Sequence, residues 1–285
     1  MIPSLAKTAA VIVSSTILAT LAVNAVDMRG HFADTLLGNL FKVISQEEIG
    51  PCPENMTLVT QALVPFCVDM YEASVGDSCT YTEPTSVEQT ELNLVDNDCV
   101  PVSEPNMLPW RFVTQQQAQR ACSRADKRLL TAGEWYKAAL GTPDPKGGWL
   151  EDHCNVARNR ADGADGTGAG IRCVSDAGVY DMVGNVWEWV EETVHEGNWD
   201  GRLLPQGGFV SGADIDGIAY ETSSAQQELF NQDRFWSDST IHAGVMRGGY
   251  FASNGGAGVF ATYAASPPTF SGDAVGFRCA TTPFE

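Results

Sequence analysis

"DMVGNVWEWV", residues 181–190, is the stretch on which the fold turns. Its tryptophans, Trp187 and Trp189, are joined by Trp135 in the upstream "KRLLTAGEWYKAALG" (127–141). Side chains of that size bring large buried areas, enough to organise a core where long alternating runs are scarce. Gly184, between the acidic start and the first tryptophan, permits a backbone conformation or a close approach that a Cβ would block.

Outward from that stretch the chain offers short elements. Thr114 with Gln117, and Thr131 with Glu134, have capping-box spacing. In that arrangement the hydroxyl and the later side chain satisfy each other's helix-end amides. Helices are therefore expected over 114–125 and 131–140. "MTLV" (56–59) and "FCVDMYEAS" (66–74) read as two strands around a turn. Residues 76–106 are polar, acid-rich and hold two cysteines, which predicts a surface excursion stapled by a disulfide. Residues 141–178, rich in Gly, Asp and Asn, read as loop. The expected class is α+β and loop-rich, with an N-terminal hydrophobic helix.

At that N-terminus, Lys7 precedes the uncharged "TAAVIVSSTILATLAVNAV", and "VNA" (23–25) has the small residues that a signal peptidase reads. Residues 1–26 are expected to be a signal peptide or, given their length, a membrane anchor. Phe32, Leu36, Leu37, Leu40, Val43 and Ile44 fall at helical spacing, so 27–49 reads as an amphipathic linker helix before a domain at 50–285. Either reading exports the chain to the cell surface or an extracytoplasmic space.

With 36 acidic and 17 basic residues the formal charge is −19, a surface that repels phosphate backbones and argues against a nucleic-acid partner. Eight cysteines without a CxxC pair, and only four histidines, give poor support to zinc. Disulfides in an oxidising compartment are expected, with reduced buried thiols as the alternative. Sequence proximity favours Cys79 with Cys99 and Cys154 with Cys173 among about 105 complete pairings.

Familiar catalytic templates are missing: there is no GxSxG elbow, no HExxH and no P-loop Gly-Lys pair. Glu191 and Glu192 read as a solvated edge, and "ADGADGTGAG" (161–170) as a solvated loop lacking EF-hand spacing. His31, His153, His195 and His242 form no clustered pair in the sequence.

Four motifs in fixed order, "KRLLTAGEWYKAALG", "DMVGNVWEWV", "RGG" (247–249) and "GFRCA" (276–280), resemble the formylglycine-generating-enzyme or sulfatase-modifying-factor family over roughly residues 50–280. The resemblance implies a large relative of the C-type-lectin fold, with Arg247 and Arg278 holding loop carbonyls or a carboxylate. The family's oxidising members carry a cysteine pair after the Gly-Gly motif, and those positions fall on Ser253 and Gly258. A serine hydroxyl does not replace a copper-binding thiolate, so that chemistry is not expected. The family also implies calcium on Asp181, Gly184, Val186 and Glu188, all able to offer hard oxygens. Glu188 reads equally well as the buried partner of an arginine.

"RGG", seven residues, "AGVFA" (257–261) and then "GFRCA" further resemble the variable region of proteins diversified by retroelements. Adenine-directed randomisation there leaves codons that end in a pyrimidine, which exclude Lys, Glu, Gln, Met and Trp. None of these five occurs from Tyr250 to Val275. The resemblance places the variable region at about 247–280, with variable positions Tyr250, Phe251, Ala252, Ser253, Asn254, Tyr263, Ala265, Ser266, Phe270, Gly272, Asp273 and Ala274. Aromatics mixed with Ser, Gly and Asn suit a binding surface, as in antibody loops. By the same resemblance Cys122 is expected to bond Cys279 and hold the frame. The function expected is non-catalytic binding of a protein or glycan ligand. The alternatives are a family enzyme with a replaced active site and a structural envelope protein. Structural calcium is the one cofactor weighed, and the N-terminal segment the route to a membrane.

Overall fold

Both capping boxes close in the computed structural model, which describes residues 50–145 and 148–284. Thr114 accepts from the Gln117 amide at 3.2 Å and Thr131 from the Glu134 amide at 3.1 Å, and each side chain three residues on accepts from the cap's own amide. They start α2 (Gln115–Arg124) and α3 (Ala132–Ala139). The excursion at 76–106 is stapled between Cys79 and Cys99 and also contains a helix, α1 (Val87–Asn93), capped by Ser86. The signal or anchor (1–26) and the linker helix (27–49) lie outside the described residues. Among the described residues no helix is long and apolar enough to cross a membrane.

The strands form three sheets. β1 (Met56–Val59) and β2 (Phe66–Asp69) are the expected hairpin, and β3 (Ser74–Val75) pairs with β4 (Pro101–Val102). After β5 (Arg128–Leu129) comes β6 (Trp187–His195), then β7 (Asn198–Trp199), β8 (Arg202–Leu203), β9 (Gly208–Ala213) and β10 (Ala219–Ser223). The chain ends with β11 (Arg234–Ser237), β12 (His242–Gly248), β13 (Gly258–Ser266), β14 (Val275–Phe277) and β15 (Cys279–Thr281). One sheet runs β1-β2-β15-β5; a second, nine-stranded, runs β10-β9-β11-β13-β12-β6-β7-β8, with β14 parallel to β6. The class is α+β and rich in sheet. This larger sheet corrects the expectation that loops would dominate throughout. Its strands were hidden because several are short, bulged or flanked by glycine, which breaks the alternation that marks a strand. Loop does dominate 141–178, as expected.

Two apolar clusters cover the two faces of the β6–β12 pair. Trp187, Trp189 and Met246 point to one, with Ala118 and Ala121 of α2. Val190, Val194, Ala243 and Val245 point to the other, with Trp135 and Ala138 of α3. The tryptophans organise the core as their size predicts, and backbones approach them closely. A Cβ on Gly244 would lie 2.6 Å from the Trp189 ring, and one on Gly184 (φ +83°) would lie 2.5 Å from the Asn155 carbonyl oxygen. Eight cysteines close four disulfides: Cys52–Cys67, Cys79–Cys99, Cys122–Cys279 and Cys154–Cys173. All three expected pairs form, the last strand being tied to α2, and such bonds persist in oxidising compartments.

Candidate ligand-binding site

The C-terminal frame is buried throughout. Ala257, Val259 and Ala261, like Phe277, Arg278, Cys279 and Ala280, face the core, and Phe260 is half-buried. Glycines in this frame have no room for a side chain. A Cβ on Gly249 would lie 2.5 Å from that of Ala257, and one on Gly276 would lie 2.8 Å from Val186.

Against this frame six of the twelve expected variable residues converge. Tyr250, Tyr263, Phe270, Gly272, Asp273 and Ala274 line a cavity of about 320 Å³ with Trp187, Met246 and Val275. Trp187 and Met246 are buried and form its floor. The Trp187 ring is braced edge-on by Trp236 at 5.6 Å and by Tyr263 at 5.8 Å. Phe270 and Asp273 are exposed at the rim.

The rim loop between β13 and β14 is held by main-chain atoms. The carbonyl oxygens of Pro268, Gly272 and Ala274 accept from the amides of Gln115, Phe112 and Trp187 at 3.1, 2.9 and 2.8 Å. Its path therefore depends little on the side chains it displays. Gly272 makes the contrast with the frame: a Cβ there would meet only the tip of Phe270, at 3.8 Å.

The rest of the expected set lies elsewhere. Phe251 is a correction: it is only 4% exposed, packs edge-on against Tyr250 and lies under the Arg158 guanidinium at 5.2 Å. Main-chain bonds to the Asn185 carbonyl and the Arg158 amide pull it inward, so it does not join Tyr250, Tyr263 and Phe270 on one face. Ala252, Ser253 and Asn254 form a turn beside Val156, and Ala265 lines a separate hollow with Pro205 and Ser237. Ser266 sits on β13 opposite Gly244.

The two positions of the family's cysteine pair serve structure. Ser253 accepts from the Tyr250 amide at 2.9 Å and closes the turn. A Cβ on Gly258 would lie 2.0 and 2.2 Å from the carboxylate oxygens of Asp233, so the place of the second thiol is filled. Asp233 accepts from the Phe260 amide at 2.7 Å, while its other oxygen, Oδ1, and Asp144 Oδ2 are buried with no donor. Burial and the neighbouring Asp144 carboxylate push Asp233 well up, and burial raises Asp144 to about 7. Burial and a like charge beside it both favour the protonated form of Asp233. Nearby Arg247 is wholly buried, donates to the Val259 carbonyl at 2.8 Å and lies over Trp135. Burial lowers it to about 10.

The residues considered for calcium form a different kind of site. The Glu188 carboxylate accepts from Arg278 Nε at 2.9 and 2.8 Å and from Trp135 Nε1 at 2.7 Å. Arg278 also donates to the Asp69 and Tyr180 carbonyls. Asp181 accepts from the Gly168 amide at 2.6 Å, Val186 donates its amide to Glu72, and Gly184 donates to the Gly248 carbonyl. Burial raises Asp181 to about 7 and pushes Glu72 well up. Glu188 is therefore the buried partner of an arginine. With its oxygens committed to a guanidinium and an indole, the set does not fit an oxygen cage. Among the described residues no three His, Cys, Asp or Glu side chains are placed to hold a metal ion.

Two further expectations change. Glu192 is not a solvated edge: it accepts from the Ala132 amide at 2.9 Å, at the start of α3, and burial raises it to about 7. His195 and His242, distant in sequence, do form a pair, because they are direct partners across β6 and β12.

Comparison with known proteins gives the following likenesses. Residues 45–283 match the family model of the sulfatase-modifying factor enzyme 1-like domain. A Bos taurus protein, "Inactive C-alpha-formylglycine-generating enzyme 2", is 29% identical over 127 residues, 40% of this chain and 42% of its own. The chain thus spans less than half the length of that relative. Among solved structures, the Major Tropism Determinant M1 variant is 19% identical, covering 83% of this chain and 54% of its own, with a TM-score of 0.46. The Treponema denticola variable protein 1 is 16% identical over 81% of this chain and 100% of its own, with a TM-score of 0.39. PvdO from Pseudomonas aeruginosa is 16% identical over 76% of this chain and 80% of its own, with a TM-score of 0.42.

Proposed function

The chain belongs to the sulfatase-modifying factor enzyme 1-like family, and from that premise we propose that it is a non-catalytic ligand-binding member with a C-type-lectin-like frame. The cavity walled by Tyr250, Tyr263, Phe270 and Asp273 takes a protein or glycan ligand on an exported, surface-displayed molecule. A retroelement diversifies the wall.

The observation that carries this reading is the convergence of six residues from the codon-restricted tract on one cavity, around a loop fixed by its main chain. Rigid aromatics with small neighbours give contact area at low entropic cost, whatever the partner. Enzymatic use in the family's manner is disfavoured by Ser253 and by the Asp233 carboxylate that fills the space at Gly258. The four disulfides favour export.

Sequencing this locus across many cells tests the proposal. Variation is expected in the codons for Tyr250, Tyr263, Phe270 and 272–274, with 257–261 and 276–280 constant and Phe251 restricted to apolar residues. An invariant tract would overturn it. Separately, an array of purified glycans and cell-surface proteins should yield a ligand whose binding falls at least tenfold in Tyr263→Ala with the thermal midpoint nearly unchanged. Midpoint loss without affinity loss would return the aromatics to the core.

A further inference from the structure

We propose that His195 and His242 form a two-histidine binding site for a late first-row divalent cation, Cu²⁺ foremost, on the open face of the large sheet. Nothing in the ligand cavity requires this pair, so the inference stands apart from the binding role proposed above.

The placement comes from strand register. His195 and His242 are direct cross-strand partners, followed by the inward-facing pair Val194 and Ala243. Alternation along both strands buries Val194 and Ala243 and turns both imidazoles to solvent, where they are exposed. The long β6–β12 pairing is covered on its other side by the cluster that holds Val190, Val194, Ala243 and Val245, which anchors the backbone that carries the two rings.

Ring geometry favours a shared cation. The two Nδ1 atoms are 3.0 Å apart and the ring centroids 4.0 Å apart, with the planes inclined by 41°. The two Nδ1 atoms are nearer each other than the ring centres are, so the rings approach through their Nδ1 edges. Two imidazole nitrogens bound to one metal at about 2.0–2.1 Å with a right angle between them stand about 2.9 Å apart, which is the separation found. Without a metal the arrangement offers little: one Nδ1 must carry a proton for a single hydrogen bond at the surface, and two imidazolium rings directly opposite repel. On binding, that proton moves to Nε2, both Nδ1 lone pairs become ligands, and no net charge leaves the protein.

Imidazole suits copper, nickel and zinc, and affinity for such a site peaks at Cu²⁺. A net charge of −19 raises the local concentration of any cation. Two protein ligands leave the remaining coordination positions to water or to a donor from a bound partner.

The test is titration of the full chain with CuCl₂, followed by calorimetry and by electron paramagnetic resonance, in wild type, His195→Asn and His242→Asn. Expected are one copper per chain with nitrogen hyperfine structure from two imidazoles, and affinity lower by tenfold or more in each variant. The metal-free thermal midpoints should agree, since both side chains are exposed. Absence of copper binding, or an isotherm and spectrum the same in both variants as in wild type, would overturn the proposal.

Discussion

Replacing Asp233 by Asn should flatten the dependence of stability on pH. Asp233 is fully buried against Gly258, accepts from the Phe260 amide and has the Asp144 carboxyl group as a neighbour. Burial and Asp144 push its folded pKa well above the unfolded value near 3.8. Between those two values the folded chain carries a proton that the unfolded chain has released. The associated stability is fully present below the unfolded pKa and is lost as pH rises toward the folded one. In the interval between the two pKa values, one retained proton costs the folded state about 1.4 kcal/mol per pH unit. An asparagine offers Oδ1 to the Phe260 amide and Nδ2 to Asp144, copying the protonated acid without needing a proton. Urea unfolding at pH 5, 6 and 7 measures the effect. The stability difference between variant and wild type should move in favour of asparagine as pH rises, by up to about 1.4 kcal/mol per pH unit. Parallel curves would refute the raised pKa of Asp233. Asp144, Asp181 and Glu192, each raised to about 7 by burial, act in the same direction, so wild type should be more stable at pH 5 than at pH 8.

Removing the frame's tie with the double substitution Cys122→Ala and Cys279→Ala opens a loop of 157 residues. The entropy model gives a loss of about 5 kcal/mol, read by urea unfolding against wild type; a loss below about 2 kcal/mol would mean that the other disulfides already restrain the unfolded chain. For calcium, the occupied Glu188 predicts thermal midpoints that agree in excess calcium and in chelator. A midpoint several degrees higher with calcium would place the ion on Asp181 and Glu188 after all.

Local physics explains what could be read directly. A threonine and its partner three residues on determine a helix start by themselves, so the bounds of α2 and α3 were legible at Thr114 and Thr131. The same signal stood at Ser86 and Gln89, where α1 begins, obscured by the acidic excursion around it. The framework of 257–261 and 276–280 was legible through its resemblance to retroelement-diversified variable regions, and all of it but the half-buried Phe260 is buried. Phe251 was not: whether an aromatic beside a glycine pair turns in or out depends on the Asn185 and Arg158 main chains, which are remote in sequence.

The sequence alone determined the capped helices, the tryptophan core, the even set of cysteines and a C-terminal tract lacking five residue types. Each of these is a property of neighbours along the chain or of composition. Only the tertiary structure decided which tract residues share the cavity, that Glu188 belongs to Arg278, that Asp233 fills the space at Gly258, and that His195 meets His242. Those outcomes depend on strand register and on desolvation, which in the last three bring together groups separated by 25 to 90 residues and fix how buried charges are compensated.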